Sequence, residues 1–201
     1  MDDRTPREIL NAFYSDNNFG ADGGESKSYV KIDFTPKIHM YFPNFDARRK
    51  AVLKHDIHHI ITGYETTLIG EGEIAAWEIG SGCKRYWAAL LLDTSGLMMG
   101  ILINFWKVLK AFARGRRTKN LYHELFSNEE ALDMKISDLR THLDLEKYTK
   151  DTKPTLADFF LFMVFAIFGE IYSILVLLFF PLLILYSIYM EVRIRRAAHS
   201  I

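Results

Sequence analysis

Apolar and polar positions divide the chain into three stretches of different kind. Up to about residue 35 the sequence is mostly polar, with turn-forming runs at Asp16-Asn17-Asn18 and Gly20-Ala21-Asp22-Gly23-Gly24 that read as loop or disorder. Ile9-Leu10 and Phe13-Tyr14 allow one short amphipathic turn before them. Tyr29 to Phe42 alternates only weakly and contains Pro36, so it reads as an extended linker leading into Pro43. From Asn44 to Thr62 the apolar residues Val52, Leu53, Ile57, Ile60 and Ile61 fall on one half of a helix at roughly 100° per residue. Asn44 or Asp46 can cap that helix, and Gly63 suits the residue just past its end.

A second helix is expected over Glu71 to Ile79, entered through Gly70, ended by Gly80, and sharing one face among Glu71, Ile74, Ala75 and Glu78. The short link between the two helices predicts antiparallel neighbours. Tyr86 to Phe112 is long and apolar, and Gly96 and Gly100 predict two helices or one bent one. Ser127-Asn128-Glu129-Glu130 has the form of a capping box ahead of a helix carrying Leu132, Ile136, Leu139 and Leu143.

The third stretch begins after Pro154. Phe159 to Met190 holds a single charge, Glu170, and Ile171 to Met190 is a twenty-residue uncharged run, the length of a bilayer span. As one helix the whole stretch would reach roughly 48 Å, more than the roughly 30 Å hydrocarbon core. A bend at Pro181, a hairpin, or an interfacial first part would each resolve the excess. Lysines precede the run and Arg193, Arg195 and Arg196 follow it, so the positive-inside rule does not separate the flanks. A hairpin or re-entrant path is therefore favoured slightly over a single span. The resulting expectation is an all-α fold in three parts: a polar segment over 1–35, a helical domain over 36–153, and a membrane-anchoring tail over 154–201.

Composition narrows the chemistry. The formal net charge is zero, and no zinc-finger or RNA-recognition spacing occurs, so nucleic acid is not an expected partner. The single cysteine, Cys83, excludes a disulfide framework or a cysteine-only metal site. The opening M-D-D-R-T-P-R-E has acids and no apolar core, so neither a secretory signal nor a mitochondrial transit peptide is expected there. The main domain is expected to face the cytoplasm, with the protein integral to the membrane through its tail.

The dense chemical signal is Lys54 to Glu71, K-H-D-I-H-H-I-I-T-G-Y-E-T-T-L-I-G-E. His55, Asp56 and His59 share an arc roughly 100° wide at the edge of the apolar stripe, while Lys54 and His58 point away, His58 toward water. These residues either ligate a metal or are polar groups on a half-solvated helix face. The H-E-x-x-H metalloprotease pattern is not met, because Asp56 follows the first histidine. His55-x-x-His58-His59 lacks the further histidine boxes of membrane di-iron hydroxylases, and His55-Asp56 alone is a weak match to HD phosphohydrolases. Farther on, Met98, Met99, Phe105 and Trp106 suit either a buried core helix or the wall of an adaptable lipid pocket. Arg114, Arg116 and Arg117 form a short basic run, either solvated or placed to hold a phosphate or lipid headgroup.

His55-Asp56-x-x-His59, eleven residues, then Glu71 resembles the motif of the ubiquinone-biosynthesis family often called Coq-four. Gly63, Thr66-x-x-x-Gly70-Glu71, the later Glu78 and the basic segment from Arg114 extend the likeness over roughly Pro36 to Tyr122. The long apolar tail lies outside that family's pattern. The resemblance implies an all-helical fold and a divalent metal, zinc first and iron, manganese or magnesium after it, held by His55, Asp56, His59 and Glu71. It also implies an apolar site for a polyprenyl-tailed quinone precursor, and membership of a membrane quinone-biosynthesis complex or a homodimer. Two activities follow from it. One is an enzyme of oxidative decarboxylation and hydroxylation at the ring carbon bearing the carboxylate. The other is a non-catalytic lipid-binding scaffold with a structural metal.

Overall fold

The computed structural model describes residues 3–16, 28–33 and 39–198. The fold is all-α, with one small hairpin of strands. In chain order it has α1 (Pro6–Asp16), β1 (Tyr29–Asp33), β2 (His39–Pro43), α2 (Asp46–Thr62), α3 (Leu68–Ser81), α4 (Trp87–Gly115), α5 (Asn128–Asp133), α6 (Ile136–His142) and α7 (Leu156–Ala198). The polar loop expected after Asp16 lies largely outside the described residues. The segment read as an extended linker is instead an antiparallel pair, with Tyr29 opposite Pro43 and Lys31 opposite Tyr41. Pro36 falls in the undescribed connection between the two strands.

α2 starts at Phe45 without a side-chain cap, so neither Asn44 nor Asp46 fills that role. Its end is as expected: Gly63 takes φ 73° and donates its N–H to the His59 carbonyl, a conformation that disfavours a Cβ. α3 begins three residues before Glu71, capped by the Thr67 side chain on the Gly70 N–H at 3.2 Å. Gly70 and Gly80 are both inside it.

α3 and α4 form the closest pair in the fold. A Cβ built on Gly72 would lie 2.4 Å from the Gly100 Cα, and one on Gly100 would lie 2.7 Å from the Gly72 Cα. These glycines let two backbones touch. The expected bend of α4 therefore does not occur at Gly96 or Gly100; it falls at Asn104, with φ −156° and ψ 88°. The Asn104 Oδ1 accepts the Lys107 N–H at 3.1 Å, capping the second half of the helix.

The core lies among α2, α3 and α4, where Ile57, Ile61, Ile74, Trp77, Leu97 and Phe112 are fully or almost fully buried. The buried Trp77 donates its indole N–H to Thr118 at 2.9 Å. The capping box at Ser127 is present, with both reciprocal bonds, but the helix it starts is short. Met134 and Lys135 adopt extended backbone and divide the expected single helix into α5 and α6.

α7 is one continuous helix of 43 residues with Pro181 inside it. This corrects the hairpin reading: the chain does not reverse at Gly169-Glu170 or at Pro181. α4 and α7 are both long and apolar enough to cross a membrane.

Candidate metal centre

α2 and α3 bring His55, His59 and Glu71 together. The His55 and His59 Nε2 atoms are 3.2 Å apart. Glu71 places one carboxylate oxygen 3.6 Å from the His55 Nε2 and the other 3.4 Å from the His59 Nε2. The two rings meet edge to face at 4.8 Å.

The opposite nitrogen of each ring is fixed. The His59 Nδ1–H donates to the Tyr64 carbonyl at 2.9 Å, and the His55 Nδ1–H donates to the Glu78 Oε1 at 3.0 Å. Each bond selects the tautomer that leaves an Nε2 lone pair facing the other ring. Burial disfavours a charge on His55, but the Glu78 and Glu71 carboxylates outweigh it and hold its pKa well above the usual range. The two carboxylates favour a proton on the His55 Nε2, facing the His59 Nε2. A cation would take that proton's place.

The donor set fits a metal ion. In a tetrahedral site with metal–donor distances of about 2.0–2.2 Å, donors lie about 3.3–3.6 Å apart. The 3.2 Å between the two Nε2 atoms, and the 3.4 and 3.6 Å from them to the two Glu71 oxygens, lie close to that range. Two imidazoles and a carboxylate suit zinc, iron or manganese better than magnesium, which takes oxygen donors. Burial would raise the Glu71 pKa, but hydrogen bonding to His55 and His59 brings it down to about 2, so it is an anionic donor near neutrality.

Asp56, the fourth residue of the motif, is not within that three-donor group. It lies in the layer between α2 and α1, interacting with Tyr14 and Arg48. It is 5 % exposed, and its Oδ2 has no hydrogen-bond partner. Burial lifts its pKa to about 6, against the charges of His55 and His59 and a hydrogen bond with Tyr14.

His58 is not directed to water. It is fully buried, as is most of Lys54. The His58 Nε2 accepts the Leu121 backbone N–H at 2.9 Å, so its Nδ1–H donates to the Glu78 Oε1 at 2.5 Å. Burial keeps His58 neutral by lowering its pKa. Glu78 is therefore the hub behind the site: its Oε1 takes two imidazole N–H groups, and its Oε2 takes the Tyr122 hydroxyl at 3.2 Å. Burial alone would raise the Glu78 pKa, but the histidines hold it well below the carboxylate range. The spacing Glu71–Glu78, two helical turns, was the sequence signal for it; no sequence signal pointed to the 3-10 turn over Leu121–His123 that closes the network.

The four apolar residues of the lipid-pocket reading do not form one wall. Met98 contacts α7 beside Gly169, and the Phe105 ring lies 5.4 Å from that of Phe162. Met99 and Trp106 are exposed. The basic run is engaged within the fold. Arg114 is buried and donates to the carbonyls of Tyr148 at 2.8 Å and Thr62 at 3.3 Å. Arg116 and Arg117 grip Asp158 at 2.8 and 2.6 Å, fixing the start of α7.

Together these features define a helical protein with a two-histidine, one-carboxylate candidate metal centre beside a long apolar helix. No protein-family model, curated protein or solved structure matches the chain.

Proposed function

We propose that this is a membrane-associated protein that holds a divalent cation, with zinc best suited to the donors, and presents it to the polar head of an apolar-tailed lipid. The observation that carries the reading is the convergence of the His55 and His59 Nε2 atoms and the Glu71 carboxylate, with both Nδ1–H groups already committed. Three protein donors leave room for a further ligand, as in catalytic rather than structural zinc sites. Partial exposure of His55 and Glu71 gives that ligand a way in.

A bound cation would supply Lewis acidity to a carboxylate or phenolate oxygen. The residues around it do the rest. His59 is held by the Tyr64 carbonyl. His55 is oriented by Glu78, and its Nε2 proton would pass to solvent where a bound cation takes its place. Glu78, buried and anionic, keeps both adjoining imidazoles in register.

The resemblance of His55-Asp56-x-x-His59-x11-Glu71 to the ubiquinone-biosynthesis motif supports a prenylated aromatic acid as the lipid, and oxidative decarboxylation with hydroxylation of its ring as the reaction. The apolar surface of α7 supports the membrane setting. Lipid extraction of the purified protein followed by mass spectrometry tests the substrate class. A co-purifying isoprenoid aromatic acid is expected, reduced in His59→Ala. Recovery of bulk phospholipid alone, equal in both proteins, would refute the assignment.

A further inference from the structure

The two ends of α7 are docked on the same folded body. At its start, Asp158 is held by Arg116 and Arg117 at the end of α4. Near its finish, the Ser187 hydroxyl accepts the Tyr41 N–H at 3.1 Å, and Glu191 bonds His39 at 3.1 Å and the Tyr41 hydroxyl at 2.9 Å. Between these points lie about 50 Å of helix, well beyond a roughly 30 Å hydrocarbon core.

Contacts with the body concentrate in the two end regions of α7. α4 runs antiparallel to the first half of α7, with Phe112 against Phe162 and Met98 against Gly169. The Phe45–Trp87 ring stack, 5.7 Å between centroids, then joins the start of α4 to the end of the strand pair. Along α7 the exposed apolar residues cover most of the circumference, with Val164, Ile171, Leu178 and Leu185 on the side away from the body and Leu177, Phe179 and Ile184 on its flanks. Phe162, Gly169 and Met190 on the other side are buried.

We infer that α7 lies along the membrane, embedded in one leaflet with its broad exposed apolar surface among the acyl chains, and does not cross. This rests on the membrane association proposed above. A crossing helix would carry His39, Tyr41 and a two-stranded sheet with open edges into or through the hydrocarbon, where unpaired backbone groups are not tolerated. It would also put one of two basic flanks, Lys147/Lys150/Lys153 or Arg193/Arg195/Arg196, on the far side. Lying flat, α7 keeps both flanks on the body's side, where they meet anionic headgroups. On α4, Met99, Leu102 and Trp106 are also exposed and add apolar surface, Trp106 as an interfacial aromatic.

The test uses the full chain in sealed inverted membrane vesicles from expressing cells, with Lys153→Cys and Arg196→Cys made singly. Both positions are exposed, whereas the native Cys83 is buried. A membrane-impermeant maleimide is applied with and without detergent. The in-plane arrangement predicts that the two sites label to within twofold of each other under both conditions. Labelling of one site at least tenfold more dependent on detergent than the other would establish a crossing helix and overturn the inference. Recovery of the protein in the soluble fraction, away from vesicles on flotation, would overturn it differently, by removing the membrane association itself.

Discussion

The His55 and His59 Nε2 atoms face each other across 3.2 Å, and each ring is locked in that orientation by its other nitrogen. One turn of α2 places two imidazoles on the same line, and the αL end at Gly63 turns the Tyr64 carbonyl back to hold the second of them. A pair of neutral imidazoles so arranged has two lone pairs and one gap, filled by a proton or a cation.

The first prediction concerns Glu78. It is fully buried and accepts from His55, His58 and Tyr122. Glu78→Gln keeps the shape but removes the charge that orients His55. Zinc affinity, measured by competition with a chromogenic chelator, should fall about 10- to 100-fold, the usual effect of losing a carboxylate behind a histidine ligand. An unchanged affinity would mean that Glu78 serves the fold alone.

A second prediction follows from the contact of α3 with α4. Gly72→Ala sets a methyl group against the Gly100 backbone, and Gly100→Ala sets one against the Gly72 backbone and the Val108 side chain. Each should cost about 1–3 kcal/mol of stability, in the range for overpacking, read from denaturant unfolding. Because Glu71 adjoins Gly72, metal affinity should fall as well.

Acid dependence provides the third. Glu71 has its pKa lowered in the folded protein from 4.5 to about 2, so its contribution is complete above 4.5 and is lost as pH falls toward 2. His55 is shifted upward, so its contribution is complete below its ordinary value of 6.5 and is lost as pH rises through the raised folded value. Metal-free protein should therefore be stabilised by this pair between about pH 4.5 and 6.5, losing stability on both sides. Metal-bound protein should lose its added stability on acidification through this window, because entry of the ion displaces the His55 proton. Thermal melts across pH, with and without chelator, separate the two. Matching profiles would argue against metal–proton competition at His55.

Much of the arrangement was readable from residues. The αL glycine at 63, the capping box at Ser127, the approach of Glu71 to His55 and His59, and the apolar character of the tail all follow from local rules of spacing and composition, although the tail is one helix and not the hairpin favoured from the sequence. What escaped depends on partners distant in sequence. His58 looks solvent-facing on an isolated helix, but the turn at Leu121 and the acid on α3 cover it. Arg114 looks like a headgroup clamp until the carbonyls of Thr62 and Tyr148 are brought to it. Gly96 and Gly100 read as helix breakers in one dimension; against α3 they are contact points, and the break moves to Asn104. The hairpin went unread because its pairing with α7 supplies what its weak alternation lacks.

The central claim is that His55, His59 and Glu71 bind one divalent ion. Its most direct test is the metal content of the purified protein by elemental mass spectrometry, beside His55→Ala, His59→Ala and Glu71→Ala. Close to one ion per wild-type chain is expected, with loss of that ion in both histidine variants and folding retained by circular dichroism. A folded wild-type protein that takes up no zinc, iron or manganese, or histidine variants that keep the full complement, would contradict it.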